Sequence, residues 1–576
     1  MSRLPLFALV SLASSTLFAA PEPVAFDWFE YTGDDAVFEQ PLAEGQYRNP
    51  ILAGFYPDPS ICRVGDDYYL INSTFAYFPG IPIFHSRDLV NWKQIGHVIH
   101  RPEQLKYEGL GVSRAIFAPA ISHHKGTFYV VCTMVDGGGN FLVTATDPAG
   151  PWSDPIWFDF EGIDPSLCFM EDGRAWMLNN GAPEGEPLYE GHRAIWIQQF
   201  DIAKKQLIGP RKVIVNGGVD ISTKPVWIEG PHLYQRDGWY YVCAAEGGTS
   251  VNHSQVILRS KKPTGPFQPW AHNPILTQRD LDGNAPGAVT STGHADLVIG
   301  PDGSWWSIFL ACRPYQDNDY ITGRETFLLP VTWTKDGWPR ILEPGVRVPL
   351  VHAVPGGAKA QVAPARASDA SEAAHQGLAQ PSEPGSLPLT GNFTWRDEFA
   401  SATLSSAWIM LRAPKETWWT LDPTDSRLSL APRTETLLGT ANPSYLARRV
   451  QHTHFKASTS LEVPANEGVS AGLVVFQGEK HHFFLGVRRS GADATLFLEK
   501  VAGSDAPVVV ASTNLSPAPA TVNLRAVVDK GTASFFFSSG FPFWNTLVPA
   551  TDARLLTTEV AGGFVGATVG VYARQD

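Results

Sequence analysis

One pattern recurs along the first 350 residues: a turn that contains glycine, followed by a strand rich in aromatic residues. It reads VGDDYYLINS, HKGTFYVVCT, EDGRAWMLNN, RDGWYYVCAA and PDGSWWSIFL, with its glycines at Gly65, Gly126, Gly173, Gly238 and Gly303. The steps between these glycines are 61, 47, 65 and 65 residues. Repeats of this size, each with a glycine turn and a strand, indicate small antiparallel sheets arranged around an axis. We therefore expect an all-β chain in which residues 45–350 form a five-bladed β-propeller.

The composition changes after the repeats. Residues 351–390 are rich in Ala, Ser, Pro and Gly, with few large apolar side chains, which predicts a linker. From 391 to 576, strand-like segments with alternating apolar residues return, for example SAGLVVFQ and HHFFLGVRR. Period-two segments at short intervals predict an antiparallel β-sandwich as a second domain.

The first 20 residues have the pattern of a secretory signal peptide. Arg3 precedes an apolar run that ends in the small residues Ala19 and Ala20. We therefore expect a secreted protein, extracellular or periplasmic. No stretch is long and apolar enough to span a bilayer, so no membrane partner is expected. We predict buried thiols rather than disulfides for the five cysteines, which mostly lie in apolar strand-like runs: Cys62, Cys132, Cys168, Cys243 and Cys312.

Charge and motif content narrow the range of partners. The chain has 44 Lys and Arg against 57 Asp and Glu, a formal charge of −13, and no basic block. We expect no nucleic-acid partner, because nucleic-acid binding depends on clustered cations. No His or Cys group has structural-zinc spacing, and no glycine loop is placed to hold phosphate. We expect no required cofactor, and the sequence leaves the oligomeric state open.

Three acidic residues stand just before or at the start of predicted strands in separate repeats. Asp58 lies between two prolines in GFYPDPSI, Asp164 precedes a proline in GIDPSLCFM, and Glu229 precedes Gly-Pro in VWIEGPHLY. Proline restricts its own backbone and that of the residue before it. A repeated turn would explain the pattern without any function. Because the inner strands of a propeller meet around one axis, the same pattern also predicts three carboxyl groups at one pocket.

Carboxyl groups that converge in this way suit glycoside hydrolysis. One group protonates the leaving oxygen, and another acts on water or on carbon. The chain resembles glycoside hydrolase family 43, the five-bladed propeller β-xylosidases and α-L-arabinofuranosidases. The matching stretches cover the whole predicted propeller: NPILAGFYPDPSICRVGDDYYLINSTF, FPGIPIFHSRDLVNW, FAPAISHHKGTFYVV, GIDPSLCF, WIEGPHLYQRDGWYY, STGHADLV and GRETFLLPVTW. The sandwich also resembles the accessory domain of the family's xylosidase branch.

The resemblance implies a role for each acid. Asp58 corresponds to the general base that activates water, Glu229 to the general acid, and Asp164 to the residue that raises the pKa of Glu229 and orients it. The family inverts the anomeric centre, which needs carboxyl groups about 6.5–9.5 Å apart to leave room for water. A negative Asp164 would keep the proton on Glu229 until the leaving group takes it.

The resemblance implies four further substrate-site residues. His294 matches a family histidine near the propeller axis, where relatives hold a calcium ion or water. The resemblance therefore implies that a structural calcium could lie near His294. Arg324 matches an arginine that contacts sugar hydroxyls and the catalytic aspartate; pairing with Glu325 or another acid is the structural alternative. Phe117 stands where many relatives have tryptophan, which leaves the preferred sugar open. Phe75, like the nearby Phe78, is either a stacking or a core residue.

Several functions are compatible with the sequence. The main prediction is an inverting, exo-acting enzyme that releases β-D-xylose from xylo-oligosaccharides or hemicellulose side chains; α-L-arabinofuranosidase activity on arabinoxylan or arabinan is the alternative. A non-catalytic sugar-binding propeller would not need three acids. A propeller sialidase would carry Ser-X-Asp-X-Gly-X-X-Trp boxes, which SRDLVNW lacks. The sandwich either closes the pocket or binds polysaccharide, and its tryptophans are expected mostly in the core.

Overall fold

The computed structural model describes residues 21–357, 387–504, 506–540 and 543–576. The predicted signal segment, residues 1–20, and most of the predicted linker, residues 358–386, lie outside the described residues. Helices in the described part are short: an α-helix at Thr558–Ala561 and 3-10 turns at Ala36–Phe38, Ile221–Thr223, Pro355–Gly357 and Arg554–Leu556. None of these helices has the length and apolar character that a membrane span requires.

Five four-stranded antiparallel units form the propeller, and the chain passes through each blade from its inner to its outer strand. Blade I contains Ser60–Val64, Asp67–Ile71, Gly80–Ser86 and Lys93–Ile99. Blade II contains Ala120–His124, Thr127–Val135, Gly139–Ala145 and Ile156–Trp157, with Ala115–Ile116 added beside its second strand. Blade III contains Ile163–Phe169, Ala175–Gly181, Ala194–Asp201 and Gln206–Asn216.

The last two blades follow the same plan. Blade IV contains Glu229–Arg236, Trp239–Glu246, Ser254–Ser260 and Gln268–Pro269, with Leu276–Thr277 added beside its third strand. Blade V contains Thr290–Ile299, Trp305–Cys312, Glu325–Trp333 and Pro339–Arg340. Outside the blades, Gln46–Arg48 pairs with Val351–Ala353, so the start of the predicted linker is a strand that joins the two ends of the propeller.

The recurring glycine marks the same place in every blade. All five glycines lie in the turn between the first and second strands, with φ between 62° and 84°. This left-handed conformation favours glycine, because in other residues the Cβ atom comes too close to the following carbonyl oxygen. The segments SRDLVNW, TDPAGPW and KKPTGPF lie in the turns between the third and fourth strands. The five-bladed propeller predicted from the repeat is confirmed.

Two eight-stranded sheets form the sandwich, and each contains a strand from outside residues 391–576. The first sheet contains Val24–Gly33, Phe393–Asp397, Trp419–Asp422, Arg427–Leu430, His454–Glu462, Thr521–Asp529, Thr532–Ser538 and Asn545–Asp552. The second contains Tyr77–Phe78, Ile409–Leu411, Tyr445–Arg449, Val469–Gly478, His481–Ser490, Asp493–Ala502, Val508–Leu515 and Thr568–Gln575. The strand Val24–Gly33 precedes the propeller in the sequence, and Tyr77–Phe78 lies between the second and third strands of blade I. The two domains are therefore joined by shared sheets.

A buried ionic cluster also lies where the domains meet. Arg313 of blade V donates to Asp35 at 2.8 Å and to Glu325 at 2.6 Å. Asp35 accepts a further bond from the backbone N–H of Thr453 in the sandwich, at 2.8 Å. All three charged side chains are buried, and each charge has an opposite partner, which such burial requires.

The predictions for the apolar side chains agree with the structure. All five cysteines are free; Cys132, Cys243 and Cys312 are buried, and the other two are half-buried. In the sandwich, Trp395, Trp408 and Trp418 are at most 3% exposed and belong to the core.

Candidate active site

A cavity of about 400 Å³ opens where the inner strands begin. Asp58 lies two residues before the inner strand of blade I, Asp164 lies at the start of that of blade III, and Glu229 is the first residue of that of blade IV. The structure places all seven candidate residues at this cavity: Asp58, Phe75, Phe117, Asp164, Glu229, His294 and Arg324. The cavity thus collects side chains from all five blade regions, as the propeller topology predicts.

The backbone at two of the acids is strained. Asp58 has φ 52° and Asp164 has φ 54°, in the left-handed region that non-glycine residues seldom adopt. Each is followed by proline, which restricts the backbone of the residue before it. Strain of this kind costs about 1–3 kcal/mol per residue and persists only where surrounding structure holds it. The turn around Asp58 is held by the backbone N–H of Ser73, which donates to the carbonyl of Pro57 at 3.2 Å.

Asp58 is surrounded by groups that stabilise its negative charge. Its Oδ1 accepts a bond from Arg324 Nη1 at 2.9 Å, and its Oδ2 accepts one from Ser73 Oγ at 2.5 Å. The side chain is 5% exposed, and burial alone would raise its pKa. The Arg324 guanidinium and the Ser73 hydrogen bond outweigh burial, so the pKa of Asp58 lies below its usual value. Asp58 is therefore an ionised carboxylate at neutral pH.

The pKa values of Glu229 and Asp164 are raised, in contrast to that of Asp58. Burial, together with the negative charge of Asp58, raises the pKa of Glu229 to about 7. Burial and the charges of Glu229 and Asp58 raise the pKa of Asp164 well above its usual value. Two buried negative charges repel each other, so this pair retains a proton that isolated carboxyl groups would lose. The backbone N–H of Gly230 donates to Asp164 Oδ2 at 3.2 Å, which favours the ionised form of Asp164.

Arg324 contacts Asp58, whereas Glu325 is occupied by Arg313. A pairing of Arg324 with Glu325 is therefore not what the structure shows; the acid that Arg324 contacts is Asp58. Arg324 Nη1 also donates to Thr249 Oγ1 at 2.9 Å. Its remaining guanidinium surface lies over the rings of Phe75 and Phe564, with centroid distances of 5.7 and 5.6 Å.

His294 is a buried, neutral side chain beside Asp58. Its Nδ1 lies 3.9 Å from Asp58 Oδ1, and burial lowers its pKa to about 4. Among the described residues, no group of three or more His, Cys, Asp and Glu side chains could hold a metal ion. Asp58 is already bonded to Arg324 and Ser73, so the side chains around His294 do not themselves build a calcium site. The calcium expectation stays a prediction.

An aromatic wall closes the side of the cavity next to Arg324. Phe75 stacks on Phe564 at 5.9 Å between ring centroids, and Phe117 meets both rings edge-on at 5.5 and 5.6 Å. Phe564 belongs to the sandwich domain, so that domain supplies part of the pocket wall. Phe78, a second candidate stacking residue, pairs with a sandwich strand and does not line the cavity.

The sequence did not identify several side chains at this site. They include Ser73 and Thr249, which bond Asp58 and Arg324, and the cavity-lining residues Arg114, Trp227 and Phe564. Ser73 lies in the matching stretch that ends NSTF, so that stretch carried a usable signal. Phe564 is about 500 residues from Asp58, and no local pattern links the two.

Family models match both domains of the chain. The family model for glycosyl hydrolases family 43 matches residues 47–339. A second model, the β-xylosidase C-terminal concanavalin A-like domain, matches residues 396–576.

The chain belongs to glycoside hydrolase family 43.

Relatives of this family 43 enzyme resemble it over nearly its whole length. A xylosidase/arabinosidase of Butyrivibrio fibrisolvens is 37% identical over 540 residues, 92% of this chain and 96% of the relative. A non-reducing end α-L-arabinofuranosidase of Bacteroides ovatus is 34% identical over 537 residues, 92% of each chain. The crystal structure of a GH43_12 protein from a capybara gut metagenome has a TM-score of 0.87 and 38% identity, covering 96% of this chain and 100% of the other.

Proposed function

We propose that this family 43 glycosidase releases single β-D-xylose units from the non-reducing ends of xylo-oligosaccharides or hemicellulose side chains, with inversion. One observation carries the proposal: three carboxyl groups from three blades meet in one cavity, and their surroundings separate their affinities for protons. The ionised Asp58 and the proton-holding pair of Glu229 and Asp164 supply the base and the acid that glycoside hydrolysis needs.

In the proposed reaction, Glu229 donates its proton to the glycosidic oxygen as the bond to the anomeric carbon breaks. Asp58 takes a proton from a water molecule, and the water oxygen forms the new bond to that carbon from the opposite face. The products are a pentose with inverted configuration and a shortened chain that carries the proton of Glu229. Asp164 acts as a positioning residue: it forms with Glu229 the pair that retains a proton, and it accepts a bond from the backbone N–H of Gly230, the residue next to Glu229. A proton transfer from Asp58 to Glu229 through solvent restores the starting state.

The shape of the cavity supports removal of one sugar at a time. Phe564 and the loop that carries it place the sandwich domain over one side of the cavity, next to Phe75 and Arg324. Arg324 Nη2 also donates to the backbone carbonyl of Phe564, at 3.4 Å. A pocket with this wall admits a chain end more readily than the middle of a polysaccharide.

The alternative is α-L-arabinofuranosidase activity on arabinoxylan or arabinan. It is supported by the arabinofuranosidase of Bacteroides ovatus and by the double name of the Butyrivibrio relative. The two pentoses present similar hydroxyl groups, and the carboxyl arrangement serves both. The secretory role of residues 1–20, which would bring the enzyme to such polysaccharides, stays a prediction.

One paired assay tests the proposal. The purified chain is given an aryl β-D-xyloside and an aryl α-L-arabinofuranoside, and kcat/KM is measured for each. We expect the xyloside to be the better substrate. A higher kcat/KM for the arabinofuranoside would favour the alternative, and activity on neither would refute both. Release of single pentose units from oligosaccharides, followed by chromatography, tests the exo mode.

A further inference from the structure

Trp227 borders the cavity on the side of the proposed proton donor. It lies two residues before Glu229 and lines the same cavity. A general acid must lie within hydrogen-bond reach of the leaving oxygen. The wall beside Glu229 therefore faces the part of the substrate that leaves, whereas Phe75, Phe117 and Phe564 form the wall beside Arg324.

The fold holds Trp227 in a strained conformation. Its φ is 45°, in the left-handed region, where a bulky aromatic residue is an outlier. The backbone N–H of Trp227 donates to the carbonyl of Gly191 at 3.0 Å. The carbonyl of the preceding Val226 accepts a bond from the N–H of Gly247 at 2.8 Å. Both bonds hold the peptide group that precedes Trp227, and strain of this kind persists only where surrounding structure holds it.

Arg193 covers part of the indole and helps to fix it. Its guanidinium carbon lies 4.1 Å from the centroid of the Trp227 ring, a close cation–π contact. Arg193 Nη1 is itself anchored on the carbonyl of His192 at 3.2 Å. The residue is half-buried, and it lines the cavity. A rigid, partly open aromatic surface at this place suits the apolar face of a sugar ring.

We propose that Trp227 is the platform on which the second sugar ring stacks, the ring bonded to the pentose that is released. This inference rests on the proposed function and adds a substrate class to it. The enzyme prefers oligosaccharides, whose leaving group is a ring, over glycosides with a small leaving group. Trp227 is thus a specificity-determining residue of the leaving-group side.

The test compares two substrates that need the same acid catalysis. Xylobiose has a sugar ring as its leaving group, and methyl β-D-xyloside has only methanol. We expect Trp227→Ala to lower the ratio of kcat/KM for xylobiose to kcat/KM for the methyl glycoside about tenfold. Trp227→Phe, which keeps a ring, should retain most of the ratio. The alkaline limb of the pH profile should move little, because burial and Asp58, the two largest influences on the pKa of Glu229, are kept.

Controls separate this inference from simpler explanations. Trp239 is another half-buried tryptophan under an arginine, Arg259 at 4.4 Å, but it does not line the cavity, so Trp239→Ala should leave the ratio unchanged. An unchanged ratio in Trp227→Ala, or an equal loss on both substrates, would overturn the platform. If that variant does not fold, Trp227→Leu is measured in its place against the same criteria. Wild-type protein that hydrolyses neither substrate would refute the proposed function itself. If the paired assay favours arabinose, the corresponding arabinofuranosyl disaccharide and methyl glycoside are used.

Discussion

At the scale of single residues, the site depends on how each carboxyl group is surrounded. Asp58 has Arg324 and Ser73 on its two oxygens and is held ionised. For Glu229, burial and the negative charge of Asp58 outweigh the charges of Arg324 and Arg193 and hold its pKa at about 7. Two carboxyl groups that both stand at the start of an inner strand thus acquire opposite proton affinities, which is what an acid and a base in one reaction need.

Removing either reacting group should nearly abolish activity. We expect Asp58→Ala and Glu229→Ala each to lower kcat on xylobiose by about 10²–10⁴-fold, the usual contribution of general acid–base catalysis. Glu229→Ala should lower kcat less on a dinitrophenyl xyloside, because that leaving group departs without being protonated. Asp66→Ala, which removes an exposed acid from the blade that carries Asp58, is the matched control and should retain activity. Near-normal turnover in either site variant would defeat the assignment.

The pH profile should report Glu229. The active form carries the proton, so kcat/KM should fall as pH rises through about 7, the pKa of Glu229. Asp164→Asn removes one of the two carboxyl groups that resist ionising together, so the alkaline limb should move to lower pH. Asp172→Asn, an exposed acid of the same blade, should leave the limb in place. An unmoved limb, or one moved to higher pH in Asp164→Asn, would remove the role given to Asp164.

At the scale of elements, local patterns predicted the blades well and the connections between domains poorly. The five glycine turns could be predicted from local sequence, because a left-handed turn favours glycine whichever blade it belongs to. VAFDWFEYTG alternates like a strand, yet nothing in it indicates that Val24–Gly33 pairs with His454–Glu462, more than 400 residues away. Phe564 was missed at the site for the same reason, because its position depends on tertiary contacts that leave no spacing in one sequence. Trp227 was missed although it stands two residues before Glu229, in the matching stretch WIEGPHLYQRDGWYY.

Gly230 tests how tightly the inner strands are packed at the site. It has φ 55°, and a Cβ added there would lie 2.8 Å from His294 Cε1. We expect Gly230→Ala to cost about 3 kcal/mol of stability and most of the activity, through backbone strain and displacement of His294. Gly238→Ala has similar backbone strain, at φ 70°, but no atom within 4 Å, so it should cost only about 1–2 kcal/mol and keep the activity. Thermal unfolding and kcat/KM of the two variants provide the comparison, and equal effects would contradict it.

At the scale of the whole molecule, the sandwich is part of the catalytic structure. It shares strands with the N-terminal segment and with blade I, and the buried cluster of Arg313, Asp35 and Glu325 lies at the junction. The sequence predicted a second domain but could not decide whether it closes the pocket or binds polysaccharide. Phe564 at the cavity wall supports the first of these roles.

Phe564→Ala should therefore lower kcat/KM on xylobiose about tenfold, because Arg324 and Phe75 lose a packing partner and the cavity loses a wall. The matched control is Phe543→Ala in the same domain, where the side chain is 80% exposed and no effect is expected. Thermal unfolding shows whether both variants are folded. Full activity of Phe564→Ala would contradict a role for the sandwich in the site.

The stereochemistry of the first product tests the central claim most directly. Proton NMR during hydrolysis of a β-D-xyloside distinguishes the α and β anomers of xylose before mutarotation mixes them. If Asp58 activates water while Glu229 protonates the leaving oxygen, α-xylose appears first. If β-xylose appears first, the reaction proceeds with retention through a covalent intermediate, and the roles given to Asp58 and Glu229 are wrong.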